Sequence, residues 1–358
     1  MINLHDYERA ASACVEPSAW GYQCAGANDE LTVRSNQEAW QQIELRYRTM
    51  VDVAMRTTAT TVLGTTIASP ILIAPTALQC LCHPEGERAM ARAAEAAGTI
   101  MVVSTTATID LEEVMAETPA PKWFQVYIYQ GRDHTKELVR RAVASGYSAL
   151  VLTVDAPVLG RRERDIRNSF TLPAGMHVAN AVNVGMDVVP TATADASGLM
   201  RHFRGLHDPA LTPRDISWLR ELSGLPVIVK GIVRGDDARR AIEHGAAGVI
   251  VSNHGGRQLD TSVATARALG EVVDAVGTAG EVYVDGGIRR GTDVLKAIAL
   301  GARAVLLGRP PLWGLAVGGA DGVRHVLELL RDELDLAMAL SGCCSMADIT
   351  DDLLVRKA

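Results

Sequence analysis

The chain has 358 residues, 48% hydrophobic and 22% charged, which is typical of a globular enzyme with one large domain or two ordinary ones. Its net charge of −7 argues against nucleic-acid binding, because phosphate backbones are bound through a surplus of Lys and Arg. No apolar run approaches the roughly 20 residues that span a bilayer, and neither end carries a targeting pattern. The six cysteines are scattered, which favours reduced thiols and a cytoplasmic location. Cys80, Cys82 and His83 lack a second ligand pair at zinc-like spacing, so no metal site is expected.

Taken in chain order, residues 1–70 have apolar residues at helical spacing in 3–11 and 27–42, and they predict a helical N-terminal segment. From residue 71 onward, short apolar runs alternate with helical patterns such as 86–97, 136–144, 236–245 and 292–300. The apolar runs predicted as strands are 71–74, 101–104, 123–127, 149–154, 227–230, 249–252, 282–285 and 304–307. Eight strands with intervening helices predict an α/β fold of the (β/α)8 TIM-barrel type. A doubly wound open sheet is the alternative, disfavoured because no G-x-G-x-x-G follows an early strand.

Residues 156–212 break this rhythm with Gly, Pro, Asn and Ala and without a strong period. Long connections in compact domains are usually functional lids or disordered inserts, and this one follows the end of the fourth strand. We therefore predict a lid over the active-site face. The whole chain is expected to form one domain, with the barrel at 71–341 and a C-terminal tail at 342–358.

Polar or reactive residues stand where several of the predicted strands end. Such groups are unfavourable inside a buried parallel strand, whereas the carboxyl ends of barrel strands meet on the face where active sites form. A helix cap or a satisfied core hydrogen bond would explain any single one, but hardly the whole set. The residues are Thr76, Ser104, Gln125, Tyr127, Thr153, Asp155, Lys230, Ser252, His254, Asp285, Gly308 and Arg309.

The segment 252–260, SNHGGRQLD, places His254 three residues before Arg257, just past a predicted strand. A histidine with a pKa near neutrality can take a proton from an alcohol, and an arginine can bind a carboxylate through two parallel hydrogen bonds. The pair therefore suits a substrate with a hydroxyl and a carboxylate on adjacent carbons.

Glycine and arginine recur after the seventh and eighth strands, in 285–291 (DGGIRRG) and 308–310 (GRP). Backbone amides freed by glycine, with arginine beside them, form a phosphate site at this position of many barrels, although ordinary turns are the alternative. Lys230 ends the fifth strand, and a lysine there must pair with an anion or form a Schiff base.

Taken together and in order, these segments resemble the FMN-dependent 2-hydroxy acid oxidase/dehydrogenase family, whose members include glycolate oxidase, lactate oxidase and mandelate dehydrogenase. The resemblance covers about residues 1–347. Besides the segments above, it includes 26–30 (GANDE), 74–77 (APTA), 83–86 (HPEG), 124–127 (FQVY), 152–155 (LTVD) and 160–162 (GRR).

The resemblance implies FMN as the cofactor and gives its contacts to matching positions. The backbone of Pro75, Thr76 and Ala77 would line the flavin ring, and Ser104, Gln125 and Thr153 would contact its polar edge. Lys230 would stabilise the reduced flavin, with Ser252 near the ring. The ribityl and phosphate contacts would come from Asp285, Gly286, Gly287, Arg289, Gly308 and Arg309.

For the substrate, the resemblance implies that Arg257 and Arg162 hold the carboxylate, while Tyr22 and Tyr127 bind the carboxylate and the hydroxyl. His254 would be the base and Asp155 would orient its ring, so that His254, Asp155, Tyr127 and Arg257 form the catalytic set.

The implied activity is oxidation of an (S)-2-hydroxy acid to the 2-oxo acid, with FMN reoxidised by O2 to give H2O2. A dehydrogenase that uses a quinone or another acceptor is the alternative within the family, and a Schiff-base lyase acting through Lys230 is the alternative outside it. The family also implies a homo-oligomer, a tetramer or an octamer.

Thr106 is a departure from the glycolate-type pattern, in which an aromatic residue at this position narrows the pocket. The run here is Ser104-Thr105-Thr106. We therefore expect room for a longer aliphatic or aryl substrate side chain, unless another side chain such as Leu159 or Met176 refills the space.

Overall fold

The computed structural model describes residues 1–184 and 206–355, and a closed barrel of eight parallel strands forms its centre. In chain order the strands are β1 Thr60–Val62, β2 Thr65–Ile67, β3 Ile71–Ile73, β4 Met101–Val103, β5 Lys122–Val126, β6 Ala149–Thr153, β7 Val227–Ile232, β8 Gly248–Val251, β9 Glu281–Asp285 and β10 Ala304–Leu307. Strands β3 to β10 pair with their neighbours in sequence, and β10 pairs with β3 to close the barrel. The predicted TIM barrel and its eight strands are confirmed.

The helices cover the outside of the barrel, and a helix follows each barrel strand. They are α1 Leu4–Cys14, α2 Pro17–Cys24, α3 Leu31–Gln41, α4 Gly86–Ala96, α5 Leu111–Ala116, α6 Arg132–Ser145, α7 Glu163–Arg167, α8 Arg214–Ser223, α9 Gly235–Glu243, α10 Thr265–Val276, α11 Gly291–Ala299 and α12 Arg309–Leu340. None of the helices in 1–184 and 206–355 is both long and apolar enough to cross a membrane.

The two-residue period of the strands divides the barrel interior into two layers, because alternate side chains point inward. The lower layer is apolar and includes Trp123 of β5, Ile228 of β7 and Tyr283 of β9, all fully buried. Two residues further along the same strands are Gln125, Lys230 and Asp285, which are polar or charged and also buried. The sequence thus places a polar layer at the carboxyl ends of the strands, directly above an apolar base.

The N-terminal segment is helical only as far as Gln41, so the prediction of a helical stretch through residue 70 is wrong for residues 42–70. Strands β1 and β2 form an antiparallel hairpin there, whose turn residues Leu63 and Gly64 have φ of 44° and 77°. Thr and Ile are β-branched and favour extended backbone, which explains why the segment forms strands. Val62 and Ile67 pack into the apolar base of the barrel, so the hairpin closes its lower end.

The long connection after β6 is present as predicted, but its central part, residues 185–205, lies outside the described residues. On the near side it forms α7 and a turn at 179–184, and it re-enters the fold through the bridge of His207 with Tyr129. Both flanks reach the active-site face of the barrel.

Helix α12 bends at Gly318 and Gly319, and its two arms meet at Gly314 and Gly322. A Cβ atom added to Gly322 would lie 2.0 Å from the carbonyl oxygen of Gly314, whereas one added to the exposed Gly318 would have no neighbour within 4 Å. We expect Gly322→Ala to lower the unfolding free energy by about 1–3 kcal/mol, the usual cost of overpacking, and Gly318→Ala to have little effect. Melting temperatures of the two variants test this, and equal values would contradict it.

Candidate active site

A cavity of about 150 Å³ opens at the carboxyl ends of the barrel strands, where the sequence predicted a site. All but two of the predicted site residues line it. They are Tyr22, Pro75, Thr76, Ala77, Ser104, Thr106, Gln125, Tyr127, Thr153, Arg162, Lys230, His254, Arg257, Asp285, Gly286, Gly287, Arg289, Gly308 and Arg309. Asp155 and Ser252 stand behind this wall and hydrogen-bond to residues that line it.

His254 and Asp155 form a partly buried pair, with 2.8 Å between the ring Nδ1 and the carboxylate Oδ1. A proton on Nδ1 would be donated to the carboxylate, which leaves Nε2 as the acceptor. Burial lowers the pKa of His254 below its ordinary value, and the opposing attraction of Asp155 does not overcome it. Burial raises the pKa of Asp155, but its interactions with the His254 ring, including their hydrogen bond, and with the charge of Lys230 outweigh it, so the pKa is lowered overall. The pair is therefore an unprotonated ring beside an ionised carboxylate, the arrangement of a general base with its orienting group.

Lys230 is buried and lies 3.4 Å from Asp285 Oδ2, and its ammonium donates a hydrogen bond of 3.1 Å to Ser252 Oγ. Burial lowers the pKa of Lys230, but the carboxylates of Asp285 and Asp155 raise it further, so the pKa lies above the ordinary value. Because a Schiff base requires the neutral amine, this environment disfavours the lyase alternative and provides a fixed positive charge instead.

The carbonyl groups at the end of α2 hold two of the predicted arginines. Arg257 Nη1 donates to the carbonyl oxygens of Tyr22, Gln23 and Ala25 at 2.8, 3.2 and 2.7 Å. Arg309 donates to Gln23 O at 3.4 Å and to Ala25 O at 3.2 Å, so the two guanidinium groups share two acceptors. Burial and the charges of Arg257 and Arg289 lower the pKa of Arg309 to about 9. A cluster of half-buried guanidinium groups of this kind is suited to binding anions.

Arg162, Tyr22 and Tyr127 complete the part of the cavity next to His254. Burial and the neighbouring charge of Arg257 lower the pKa of Arg162 to about 10. Burial raises the pKa of both tyrosines, so each hydroxyl keeps its proton and can donate a hydrogen bond. Two cationic groups and two hydroxyl donors thus surround the space beside the histidine.

Ser104, Gln125 and Thr153 form a connected polar wall on the other side of the cavity. Gln125 Nε2 donates to Thr153 Oγ1 at 3.1 Å, and Gln125 Oε1 accepts from Ser104 Oγ at 3.4 Å. Ser104 Oγ is also 2.9 Å from Thr106 Oγ1, so Thr106 is held at the cavity wall by its hydroxyl.

Several residues that the sequence analysis did not select also line the cavity, and two of them, Gln23 and His207, have polar side chains. Gln23 belongs to α2, and its side chain donates to Cys82 Sγ at 2.8 Å, which ties the helix to the loop after β3. His207 lies past the long connection, and its ring stacks on Tyr127 with 4.3 Å between centroids. Neither stands at a predicted strand end, so only a knowledge of the tertiary structure could have identified them. Cys82 itself is a packed thiol, because burial raises its pKa to about 12.

The chain is similar to known proteins over nearly its whole length. The family model described as FMN-dependent dehydrogenase matches residues 11–356. The chain belongs to the FMN-dependent dehydrogenase family. An L-lactate oxidase of Nostoc sp. is 52% identical over 99% of this chain and 98% of its own length, and glycolate oxidase 5 of Oryza sativa subsp. japonica is 48% identical over 100% and 96%. A crystal structure of mandelate oxidase with (S)-4-hydroxymandelic acid superposes with a TM-score of 0.95 at 42% identity, over 100% of this chain and 99% of that one.

The residues of this FMN-dependent dehydrogenase fit FMN at two buried polar atoms. Asp285 Oδ1 and Arg289 Nε have no hydrogen-bond partner within 1–184 and 206–355. Buried polar atoms are rarely left without a partner, and FMN supplies hydroxyl groups on its ribityl chain and oxygens on its phosphate. Glycine is also required at position 287 for packing, which the sequence motif did not reveal. A Cβ atom on Gly287 would lie 2.1 Å from the carbonyl oxygen of Asn36, so this glycine lets α3 pack against the site.

Substitution of Arg289 tests whether this residue binds the FMN phosphate, with its neighbour Arg290 as the comparison. We expect Arg289→Met to raise the FMN dissociation constant by about 10- to 100-fold, because a charge-assisted hydrogen bond to phosphate is lost. Arg290→Met is the control, since Arg290 pairs with Glu333 and does not line the cavity. The measurement is FMN fluorescence quenching on titration of apoprotein. Equal dissociation constants for both variants would show that the phosphate lies elsewhere.

Proposed function

We propose that the protein oxidises (S)-2-hydroxy acids to 2-oxo acids with FMN as the first electron acceptor, and that O2 reoxidises the cofactor to give H2O2. The observation that carries the proposal is that His254, paired with Asp155, shares one cavity with Arg162 and Arg257. The names of the relatives agree, since they are lactate, glycolate and mandelate oxidases. Their being oxidases favours oxygen over a quinone as the final acceptor.

The chain's own residues explain the requirement for a hydroxyl beside a carboxylate. Arg257 and Arg162 bind the carboxylate and thereby fix the position of the adjacent carbon. Tyr22 and Tyr127 donate hydrogen bonds to the carboxylate and to the substrate hydroxyl. His254 Nε2 then takes a proton from the substrate, and Asp155 stabilises the imidazolium that results.

Bound FMN supplies an acceptor for the two electrons that leave the substrate. Ser104, Gln125 and Thr153 would contact the polar edge of its ring, with the backbone of Pro75, Thr76 and Ala77 along the ring. Lys230 would offset the negative charge that reduction adds, because its ammonium is fixed in place by Asp285 and Ser252. The phosphate would be bound by Arg289 and Arg309 together with the glycines at 286, 287 and 308.

The proposal also covers the cellular compartment, the oligomeric state and the domain organisation of the enzyme. All six cysteines are free thiols, which supports a reducing compartment such as the cytoplasm. The resemblance to the family supports a homo-oligomer, a tetramer or an octamer. One domain over 1–358 is supported by the family match, which spans nearly the whole chain.

The substrate is proposed to carry a side chain larger than that of glycolate. Thr106 lines the cavity, where a bulkier residue would occupy more of the same space. Each substrate methylene that fills this space contributes about 0.8 kcal/mol. Leu159 also lines the cavity.

Replacement of His254 tests the base. We expect His254→Asn to retain FMN but to lose about three or more orders of magnitude in the rate of flavin reduction, the contribution of an essential general base. His244→Asn, at the end of α9 and outside the cavity, is the control. Stopped-flow bleaching of the flavin under anaerobic conditions is the measurement, and near-normal bleaching would rule out His254 as the base.

The pH dependence of kcat/KM tests the assignment of His254 as the base without a substitution at that residue. The base must be unprotonated, so kcat/KM falls as the pH drops through the pKa of His254, which burial places below 6.5. In Asp155→Asn the acid limb should move to still lower pH, because the carboxylate that raises this pKa is gone. A limb that stays in place would show that another group is titrating.

Thr106 tests the proposed substrate size. We expect kcat/KM for lactate, 2-hydroxyoctanoate or mandelate to exceed that for glycolate by about 10- to 200-fold, the usual range for apolar pockets. Thr106→Trp should reverse the order by filling the space, whereas Thr106→Ser should preserve it. Kinetics of peroxide production with the four acids decide the matter. A preference of the unmodified enzyme for glycolate would contradict the proposal.

A further inference from the structure

Asp165, in α7 behind Arg162, is a buried carboxylate that the proposed chemistry does not use. Only 1% of the residue is exposed. Neither Oδ1 nor Oδ2 has a hydrogen-bond partner within 1–184 and 206–355, and no ion pair joins them to a cation there. An unpartnered buried carboxylate is costly, and a neutral side chain of the same size would fill the space at less cost. Packing alone therefore does not explain an aspartate at this position.

The charged neighbours of Asp165 are the groups proposed to bind the substrate carboxylate. Arg162 is the N-cap of α7, three residues before Asp165, and both residues are buried. Burial raises the pKa of Asp165 above its ordinary value, and the positive charges of Arg162 and Arg257 offset only part of that rise. Tyr22 also lies within the range of its charge. Since no hydrogen bond joins Asp165 to either arginine, its influence on them is that of a charge acting through space.

Charge balance gives this arrangement a consequence for binding. Two guanidinium groups in a cavity of low dielectric would bind any carboxylate tightly, substrate and product alike. Such uniform binding does not speed the chemical step and slows the departure of the product, which keeps the same carboxylate. A negative charge fixed behind the arginines weakens the attraction for both anions.

We propose that Asp165 is a positioning residue that acts through Arg162 and Arg257 to weaken their binding of the substrate carboxylate, so that the 2-oxo acid product can leave. This rests on the proposed function, since it takes both arginines as the carboxylate site. The chemical class of ligand affected is the monocarboxylate anion. A neutral ligand of the same shape is unaffected.

The test is a titration of the FMN-loaded enzyme with pyruvate, followed by the change in flavin absorbance. We expect Asp165→Asn to bind pyruvate about 3- to 10-fold more tightly, the effect of one charge several ångströms away in partly screened surroundings. Pyruvamide, which lacks the anionic charge, should bind both proteins equally. Glu163→Gln is the matched control, because it removes a carboxylate from the same helix where Glu163 pairs with Arg167 at the surface. It should leave the pyruvate dissociation constant within about two-fold.

Each other result overturns the inference. Weaker binding of pyruvate by Asp165→Asn would show that the carboxylate holds Arg162 in its orientation, and equal binding would show that its charge is screened. Tightening of pyruvamide as well would indicate a change of cavity shape. Asp165→Ser gives a second neutral variant if the asparagine form does not fold. If the unmodified enzyme binds no pyruvate and oxidises no 2-hydroxy acid, the proposed function itself fails, whereas binding with no effect of Asp165→Asn defeats the inference alone.

Discussion

The buried ion pair between Lys230 and Asp285 is the interaction on which the mouth of the barrel depends. The two groups lie 3.4 Å apart on neighbouring parts of the inner wall, and both are shielded from solvent. A lysine in this position would lose its proton without a carboxylate beside it, and the carboxylate would be unpaired without the lysine. Ser252 extends the pair, because its hydroxyl accepts from Lys230 at 3.1 Å and from the backbone N–H of His254 at 3.0 Å. The charged state of the lysine and the position of the histidine are therefore set by one connected group of atoms.

The barrel provides this polar layer, but the N-terminal segment completes the site. Asn36 of α3 and Asn253 exchange two side-chain hydrogen bonds, at 2.9 and 2.8 Å, next to the loop that carries His254. Trp40 donates from its indole nitrogen to Gly286 O at 2.8 Å, beside the proposed phosphate contacts. The segment before the barrel is thus part of the wall that positions the loop of His254 and the proposed cofactor contacts.

Most of the fold and the site could be predicted because the barrel strands are short, apolar and end in polar residues. Gln125, Lys230 and Asp285 follow an inward apolar residue by two positions, and this period is visible in the sequence. The hairpin after residue 59 was missed because two three-residue strands have too few residues to show a period. Gln23 was missed because it contacts Arg257 and Arg309 through its backbone carbonyl oxygen, a group that every residue type has.

Asp165 illustrates a different limit. Its burial depends on how α7 packs against the end of α2, where Phe170 stacks on Tyr22 with 4.6 Å between centroids. An aspartate near two arginines in a sequence reads as an ordinary surface ion pair. Only the structure shows that it is buried without a partner.

The carbonyl oxygens of Gln23 and Ala25 each accept hydrogen bonds from both Arg257 and Arg309. Any movement of the chain at this point therefore shifts two guanidinium groups at once, one proposed to bind the substrate carboxylate and one proposed to bind the FMN phosphate. For protein engineering, this means that selectivity for the acid and retention of the flavin cannot be adjusted separately through α2. A library that varies residues 22–25 should be screened for bound cofactor before it is screened for new substrates.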